Sequence, residues 1–419
     1  MRPPFDDCQD CEPCPTVLLG QGSVAASTVG ALALDRLDLD MAKKRIGILT
    51  SGGDAPGMNA AIRAVFRRVK MVSPAHEIVL FHEGLNGLAG RLQVNFDRNI
   101  DRSRVRDIIH RGGTFIGTGR LVELADPPER LTAAEREAWL RKQREITDVA
   151  VVNLRQLGLD AIVVIGGDGS FKGCARIAQA YEERFGSPLR VVGLPATIDN
   201  DIWGTEFSVG FDTALNNTVD ALRKLRDTID SHRRCAILEV MGNTSGWIAL
   251  CAGIAGGAAT IMLPEVPDSY DPEQVLERIR RAAHMDYRYI IVVMAEGVRK
   301  VSGRPHLGEE MCRLIEDDPE VREALGRPLE TRLNTIGYLA RGGHPSAFDN
   351  LLACRLGVAA ADQALLPGDG RPVMVGLVSN VIVVHPLEAV TSQSPRLIRE
   401  DDELLRVASS LLVQQDQPF

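Results

Sequence analysis

Three glycine- or aspartate-rich clusters hold the residues best suited to chemistry, and each follows a short apolar run. They are residues 51–57 (S-G-G-D-A-P-G), 166–170 (G-G-D-G-S) and 197–201 (T-I-D-N-D). Backbone N–H groups in a glycine-rich turn before a helix can point at a phosphate, and the helix N-terminus adds a favourable dipole. The first two clusters therefore predict phosphate-binding turns, although a simple tight turn also accounts for either one taken alone.

Three aspartates in these clusters are candidates for metal binding and proton transfer. Asp168 follows two glycines and could hold Mg²⁺, which prefers hard oxygen ligands; a helix cap is the alternative. Asp199 and Asp201 are two residues apart, so in an extended chain both point to one side. One carboxylate could then act as a base while the other orients it or helps to hold metal. A polar turn is the alternative for this pair.

Several arginines lie beside glycines, as expected for groups that bind phosphate bidentately. Arg120 follows a glycine-rich stretch, Arg341 precedes two glycines, Arg332 lies nearby, and Arg234 opens an apolar run. A single arginine is more often a solvated surface group. Together with two phosphate turns and the aspartates, however, they indicate phosphoryl transfer from a nucleotide or polyphosphate to a phosphorylated acceptor.

Alternating strands and helices must position these clusters. Apolar strand-like runs occur at residues 46–49, 77–81, 160–165, 191–194, 234–241, 289–295 and 374–377. Helices are expected at 59–72 and from about Phe171, with a further surface helix within 121–147. This alternation predicts an α/β protein with a parallel sheet covered on both faces. In such sheets ligands bind at the carboxyl ends of the strands, where all three clusters fall.

Composition excludes other classes of function. The 419 residues carry a net charge of −8, which argues against a generic nucleic-acid or acidic-membrane binder. No run approaches the 18 apolar residues of a membrane span, so we expect no membrane partner.

Residues 1–40 differ from the rest, with two basic and seven acidic groups. Because Met41 opens a typical basic lead into a first strand, we expect 1–40 to be a disordered or mis-assigned extension. Cys8, Cys11 and Cys14 have a metal-binding spacing, but Leu18 stands where a fourth cysteine would be expected. The other five cysteines are scattered, which favours a reduced, cytoplasmic location.

The motif set resembles the 6-phosphofructokinase family across about residues 43–384. S-G-G-D-A-P-G-M-N-A, G-G-T-x-x-G-T-x-R, G-G-D-G-S, T-I-D-N-D, E-V-M-G, A-E-G and R-G-G-x-P occur in the family's order. The resemblance implies two Rossmann-like α/β lobes with parallel-rich sheets and the active site in the cleft between them. The donor lobe would comprise 41–210 plus 340–390, and the sugar-phosphate lobe 211–339 plus 391–419.

The resemblance also implies the reaction, in which ATP and Mg²⁺ phosphorylate fructose 6-phosphate at its 1-hydroxyl, the committed step of glycolysis. Asp199 would be the base, supported by Thr197, and Arg120 would stabilise the transferring group. Asp168 would hold Mg²⁺. The donor would be bound by Gly53, Arg120, Gly167, Asp168, Gly169 and Ser170.

The sugar-phosphate contacts are implied in the same way. They are Thr197, Asp199, Asp201, Arg234, Met241, Gly242, Glu296, Arg332, Tyr338 and Arg341. Arg341 would bind the 6-phosphate. Arg234 and Arg332 would reach in from a neighbouring subunit, which implies a homotetramer or homodimer with shared sites.

Two positions bear on the donor. Pyrophosphate-dependent relatives carry an Asp and a Lys where this chain has Gly169 and Ala196, so ATP is favoured. A pyrophosphate-dependent fructose 6-phosphate 1-phosphotransferase is the alternative, because Trp247 and Tyr338 are more typical of that branch. Asn243 also replaces the usual Arg after M-G. A non-catalytic nucleotide sensor is disfavoured because all three aspartates are present.

A separate effector pocket is a further expectation from the family. Arg63, Arg67 and Arg102 match three of its basic residues. Two other basic positions fall on Met285 and Tyr287, which weakens the match. The resemblance therefore implies the hypothesis of allosteric control by ADP.

Overall fold

The computed structural model describes residues 42–90, 95–98, 100–128, 130–367 and 370–412. The predictions for residues 1–40, and for Cys8, Cys11 and Cys14 among them, lie outside these ranges.

Two parallel-rich sheets organise the described residues, in agreement with the predicted fold class. The strands are β1 Arg45–Ser51, β2 Glu77–Phe81, β3 Phe96–Arg98, β4 Ala161–Gly166, β5 Arg190–Pro195, β6 Cys235–Val240, β7 Thr260–Met262, β8 Ile290–Ala295, β9 Thr331–Thr335, β10 Val373–Val378 and β11 Val381–Pro386. The larger sheet has the order β11-β10-β5-β4-β1-β2-β3, and the smaller sheet has the order β7-β8-β6-β9. Only the edge strands β3 and β11 pair antiparallel among the strands described.

Helices cover the faces of both sheets. They are α1 Met58–Val72, α2 Leu85–Ala89, α3 Ala133–Leu157, α4 Asp168–Phe185, α5 Phe211–His232, α6 Trp247–Gly256, α7 Pro267–Tyr270, α8 Pro272–His284, α9 Gly297–Val301, α10 Leu307–Asp317, α11 Pro319–Leu325, α12 Ala347–Leu365, α13 Leu387–Gln393 and α14 Glu403–Leu411, with 3₁₀ turns at Arg102–Val105, Val122–Leu124 and Gly337–Arg341. The strands of the larger sheet come from residues 45–195 and 373–386, and those of the smaller sheet from 235–335. The exact lobe boundaries given above stay a prediction.

The register of the larger sheet aligns three strand ends. Ser51 pairs with Gly166 across β1 and β4, and Gly166 pairs with Pro195 across β4 and β5. These strands are almost wholly buried because helices lie on both faces, as their near-continuous apolar sequences require. The three glycine- or aspartate-rich clusters consequently begin side by side at one edge.

The structure corrects several sequence-based element predictions. β3, β7, β9 and β11 were not predicted, since β3 and β7 have three residues each and β9 is the polar T-R-L-N-T. Helix α4 begins at Asp168 rather than at Phe171, so the second cluster forms the first turn of the helix. Within 121–147, the helix begins only at Ala133, where Thr132 and Glu135 form a capping box.

A buried aspartate joins the two parts of the chain that flank the cleft. Asp349, near the start of α12, accepts hydrogen bonds from the backbone N–H of Gly210 (2.8 Å) and Thr213 (2.7 Å) and from the Thr213 hydroxyl (2.5 Å). It therefore satisfies N–H groups at the N-terminus of α5 that have no partner within the helix. Burial raises the pKa of Asp349 to about 6, although these hydrogen bonds oppose the shift.

Candidate active site

The first cluster is a loop fastened to the glycine-rich segment before Arg120. The Gly52 N–H donates to the Gly119 carbonyl (3.2 Å), and the Thr118 hydroxyl donates to the Gly52 carbonyl (3.0 Å). Gly52 has a φ of +97°, which side-chain-bearing residues rarely adopt. This pairing brings Arg120 next to the loop.

Two guanidinium groups converge on Gly53. A Cβ added to Gly53 would lie 3.0 Å from Arg341 Nη1 and 3.4 Å from Arg120 Nη2. Arg341 is held there by a 3.0 Å hydrogen bond from Nη1 to the Asp54 carbonyl. Glycine leaves room for both cations beside a backbone N–H, an arrangement suited to an oxyanion of a phosphate.

The second cluster packs so tightly against the first that glycine is required. A Cβ on Gly166 would lie 2.3 Å from the Ser51 carbonyl oxygen, whereas one on Gly169 would meet nothing within 4 Å. Asp168 forms an ion pair with Lys172 at 2.8 Å, one turn along α4. Its Oδ1 is buried without a hydrogen-bond partner, and burial raises the pKa of this carboxyl group.

The third cluster is a turn rather than the extended segment assumed from the sequence. Asn200 has a φ of +53°, and its side chain closes the turn by donating to the Glu206 carbonyl (3.0 Å) and accepting from the Ser208 N–H (2.8 Å). Thr197 Oγ1 accepts from the Asp199 N–H at 3.2 Å. Asp199 and Asp201 nevertheless line the same cavity.

Burial dominates the electrostatics of the aspartate pair. It raises the pKa of Asp199, with Arg341 and Arg120 opposing the shift and Glu296 reinforcing it. Burial, reinforced by the charge of Asp199, raises the pKa of Asp201 to about 7. Asp199 Oδ1 is buried and has no hydrogen-bond partner in the described structure. A carboxylate so poorly solvated is a stronger base than an exposed one.

Two cavities meet at Asp199. The first has a volume of about 350 Å³ and is lined by Asp168, Gly169, Ser170, Thr197 and Asp201, among others. The second has a volume of about 460 Å³ and is lined by Met241, Glu296, Tyr338 and Arg341, among others. Both are lined by Gly52, Gly53, Arg120, Asp199 and Asn243. A donor in the first cavity and an acceptor in the second would thus meet at the base and Arg120.

The E-V-M-G loop forms the wall of the second cavity. Glu296 Oε1 accepts hydrogen bonds from the backbone N–H of Gly242 (3.2 Å) and Asn243 (2.8 Å). Lys300 Nζ donates to Asn243 Oδ1 at 3.3 Å. Asn243 replaces the usual arginine of the family, and Lys300 therefore brings a positive charge next to that position.

Arg234 and Arg332 are not brought to either cavity of their own chain. They lie at the amino ends of β6 and β9, and both form ion pairs with Glu330, at 2.7 and 3.2 Å. The Met241 loop follows the carboxyl end of β6, six residues or about 20 Å away along the strand. Tyr338 lines the second cavity but is 83% exposed.

The three candidate effector arginines lie on another face. Arg63 and Arg67 are on α1, and Arg102 opens the 3₁₀ turn that packs against α1. Arg63 Nε donates to the Arg106 carbonyl at 3.3 Å. They line neither of the two active-site cavities.

Sequence reasoning missed several residues at the site. Pro395 lines the first cavity, Arg396 contacts the turn of the third cluster, and Ser245 Oγ donates to the Asp199 carbonyl at 3.1 Å. No spacing pattern connects residues 395 and 396 with a turn almost 200 positions earlier. The ion pair of Lys172 with Asp168 could have been predicted from the sequence, because residues four apart lie on the same face of a helix.

Comparison with known proteins identifies the family of the chain. A family model described as Phosphofructokinase matches residues 45–364. The chain belongs to the phosphofructokinase family. This confirms the resemblance drawn from the motifs.

Individual phosphofructokinases are similar over most of the chain. An "ATP-dependent 6-phosphofructokinase" of Bacillus pumilus is 39% identical over 371 residues, covering 88% of this chain and 100% of the relative. One of Bacillus subtilis is 41% identical over 345 residues, covering 82% and 92%.

Solved phosphofructokinases have the same fold. The Saccharomyces cerevisiae phosphofructokinase structure has a TM-score of 0.68 and 31% identity, covering 84% of this chain but only 45% of the yeast chain. A pyrophosphate-dependent phosphofructokinase of Marinobacter aquaeolei has a TM-score of 0.67 and 22% identity, covering 90% and 93%. Within the described ranges, no helix is both long and apolar enough to cross a membrane.

The pKa of Asp201 predicts a pH-dependent stability. With a pKa of about 7, the folded protein binds this proton more tightly than the unfolded chain does, where the value is near 3.8. The free energy of unfolding should therefore fall as pH rises from about 4 to 7. Asp201→Asn cannot ionise, so we expect it to be the more stable protein at pH 8, by about 4 kcal/mol.

Denaturant unfolding of both proteins at pH 5 and pH 8 measures this difference. Asp220→Asn, at an exposed aspartate of α5, is the matched control and should match the wild type at both pH values. Equal stability of Asp201→Asn and the wild type at pH 8 would show that Asp201 is ionised in the folded protein at little cost.

Proposed function

We propose that this chain is an ATP-dependent 6-phosphofructokinase. It transfers the γ-phosphoryl group of ATP to the 1-hydroxyl of fructose 6-phosphate, giving fructose 1,6-bisphosphate and ADP, the committed step of glycolysis. The observation that carries the proposal is the junction of two cavities at Asp199, Arg120 and Gly53. The curated relatives named above, ATP-dependent enzymes about 40% identical to this chain, support the same reaction.

Asp199 is the group placed to start the reaction. It accepts the proton of the 1-hydroxyl, the oxygen attacks the γ-phosphorus, and the bond to the β-phosphate oxygen breaks as ADP leaves. Arg120 lines both cavities, so its guanidinium can bridge donor and acceptor as charge spreads over the transferring group. Thr197 Oγ1 accepts a hydrogen bond from the Asp199 N–H and so holds the start of the turn 197–208, here called the catalytic turn.

The donor end has the features expected for a polyphosphate bound with Mg²⁺. The unpartnered Oδ1 of Asp168 and the loops at Gly53, Gly167 and Ser170 fit an ion that takes its other ligands from phosphates and water. When bound, Mg²⁺ would neutralise charge on the phosphate oxygens. Lys172 supplies a neighbouring positive charge through its ion pair with Asp168.

The acceptor end is built from the second cavity. Glu296 holds the Gly242 and Asn243 N–H groups in place, and Met241 and Glu296 line the space for the sugar. We assign Arg341 to the 6-phosphate, because it lines only this cavity. The Tyr338 side chain, largely exposed in one chain, is placed to add a hydroxyl contact.

We infer that the working enzyme is a homotetramer or homodimer. Arg234 and Arg332 lie together at the end of the smaller sheet opposite the site, joined through Glu330. They can bind the sugar phosphate only if they project into the site of a neighbouring subunit. We also propose a cytoplasmic location, where ATP and sugar phosphates are available.

The direct test supplies fructose 6-phosphate and Mg²⁺ with either ATP or pyrophosphate and measures fructose 1,6-bisphosphate. We expect turnover with ATP only. Asp199→Asn should lower kcat by about 10²–10⁴-fold while the protein still binds ATP. Turnover with pyrophosphate alone would contradict the assignment of the donor, and unchanged kcat in Asp199→Asn would contradict the assignment of the base.

The open space at Gly169 gives a second prediction about the donor. A side chain there meets nothing within 4 Å, so Gly169→Asp should fold normally. Its carboxylate would repel the α-phosphate of the nucleotide, and we expect kcat/KM for ATP to fall by at least about tenfold. Gln179→Asp adds the same charge at an exposed site on α4 and should leave kcat/KM unchanged. Equal kcat/KM values for ATP in the two variants would show that the residue at position 169 does not select the donor.

Shared sites predict complementation between inactive subunits. Arg234→Gln and Asp199→Asn should each be nearly inactive alone, because every site of such an oligomer lacks either the arginine or the base. Mixed oligomers made by co-expression should regain part of the activity, since some sites then combine an intact base with an intact arginine. Activity of the mixture equal to the sum of the two separate variants would indicate that each subunit acts alone.

The effector hypothesis rests on the grouping of Arg63, Arg67 and Arg102 beside α1. Assays at subsaturating fructose 6-phosphate with and without ADP test it, and a null effect would remove it.

A further inference from the structure

A short C-terminal segment crosses from one lobe to the other beside the catalytic turn. Residues 394–398, here called the strap, follow α13, which packs against β10 and β11 of the larger sheet. They lead to α14, which packs against α6 of the other lobe. Pro395 in the strap lines the donor cavity.

Arg396 binds the catalytic turn through three hydrogen bonds. Its backbone N–H donates to the Asp201 carbonyl at 2.6 Å. Its Nη2 donates to the carbonyls of Asn200 (3.1 Å) and Glu206 (3.3 Å). The guanidinium therefore closes the same turn that the Asn200 side chain closes from within.

Arg396 also contacts Trp247, at the start of α6 beside the smaller sheet. Its guanidinium carbon lies 4.7 Å from the centre of the Trp247 ring, and Trp247 Nε1 donates to the Arg396 carbonyl at 3.0 Å. Trp247 is the first residue of α6, just after Asn243 and Thr244 of the cavity wall. Glu265 Oε1 accepts from the N–H groups of Gly246 (2.9 Å) and Ile398 (3.4 Å), which fastens the strap at the same place.

Burying this guanidinium is costly, which argues that the contacts serve a purpose beyond surface packing. Burial lowers the pKa of Arg396, against the opposing charges of Asp402, Asp201 and Glu206. An exposed lysine or glutamine could cover the same surface at lower cost in desolvation. A planar group with several donors is needed to reach two carbonyls and stack on an indole at once.

We propose that Arg396 is a positioning residue that holds the turn carrying Asp199 and Asp201 against the start of α6. It touches neither substrate. It sets the spacing between the base on one lobe and the sugar-side loop on the other, and small errors in such spacing lower the rate steeply. The inference rests on the proposed function, because it concerns the geometry of that reaction.

Chemical rescue of Arg396→Ala tests the proposal. Truncation leaves a space of guanidinium size between the Trp247 ring and the turn carbonyls. We normalise kcat to the concentration of sites that still bind ATP, so that unfolded protein is not counted. We expect this kcat to fall by about tenfold or more, while KM for both substrates changes by less than about threefold. Millimolar guanidinium chloride should restore part of the lost kcat, and the same concentration of sodium chloride should not.

Three further variants separate positioning from general stability. Arg399→Ala removes a 78% exposed arginine that pairs only with Asp401 in the described structure, and should keep normal kcat with no response to guanidinium. Arg396→Lys keeps the charge but not the planar fork, and should recover only part of the activity. Trp247→Phe keeps an aromatic ring but loses the Nε1 donor, and should lower kcat less than Arg396→Ala does.

The outcomes distinguish this inference from the proposed function. Normal kcat in Arg396→Ala, or a loss that guanidinium does not restore, would overturn the positioning role while wild-type turnover still supports the kinase. A wild-type protein with no turnover would overturn the proposed function, and the positioning role with it. Denaturing effects cannot imitate rescue, because guanidinium weakens folded proteins.

Discussion

The close approach of three strand ends in the larger sheet is the constraint on which the site depends. β1, β4 and β5 end in register, and the turns that follow are so near one another that a Cβ on Gly166 would lie 2.3 Å from the Ser51 carbonyl. Only glycine allows this contact. The result is one cavity lined by Gly52, Gly53 and Gly167 from these turns and by Asp168 and Asp199.

Crowding carboxylates into this cleft has an energetic cost that the rest of the site offsets. Burial raises the pKa of both Asp199 and Asp201, and Arg120 and Arg341 act against the shift at Asp199. The same two guanidiniums lie above Gly53. The groups that favour the ionised form of Asp199 are therefore also the groups that we propose bind the phosphates, which would place both interactions in one network.

Three sets of contacts order and join the parts of the chain that carry the two sheets. Glu296 orders the loop at Gly242, Asp349 caps α5 across the cleft, and the strap ties the catalytic turn to α6. Trp247, which by sequence resembles the pyrophosphate-dependent branch, packs against Arg396 and lines neither active-site cavity. Its ring and its Nε1 donor contribute to the contact between the strap and α6.

The sequence by itself determined the fold class, the three clusters and the order in which they follow buried strands, because these depend on local pattern. The roles expected of Asp168, Asp199 and Arg120 also came from the sequence, through the family resemblance of their contiguous motifs, and they stay predictions. Only the tertiary structure decided that 197–201 is a turn and that Arg341 lies above Gly53. The contacts of Arg396 belong to the same group. These contacts join residues that are far apart in the chain and come together only when both sheets are packed. No spacing pattern within one sequence predicts such contacts.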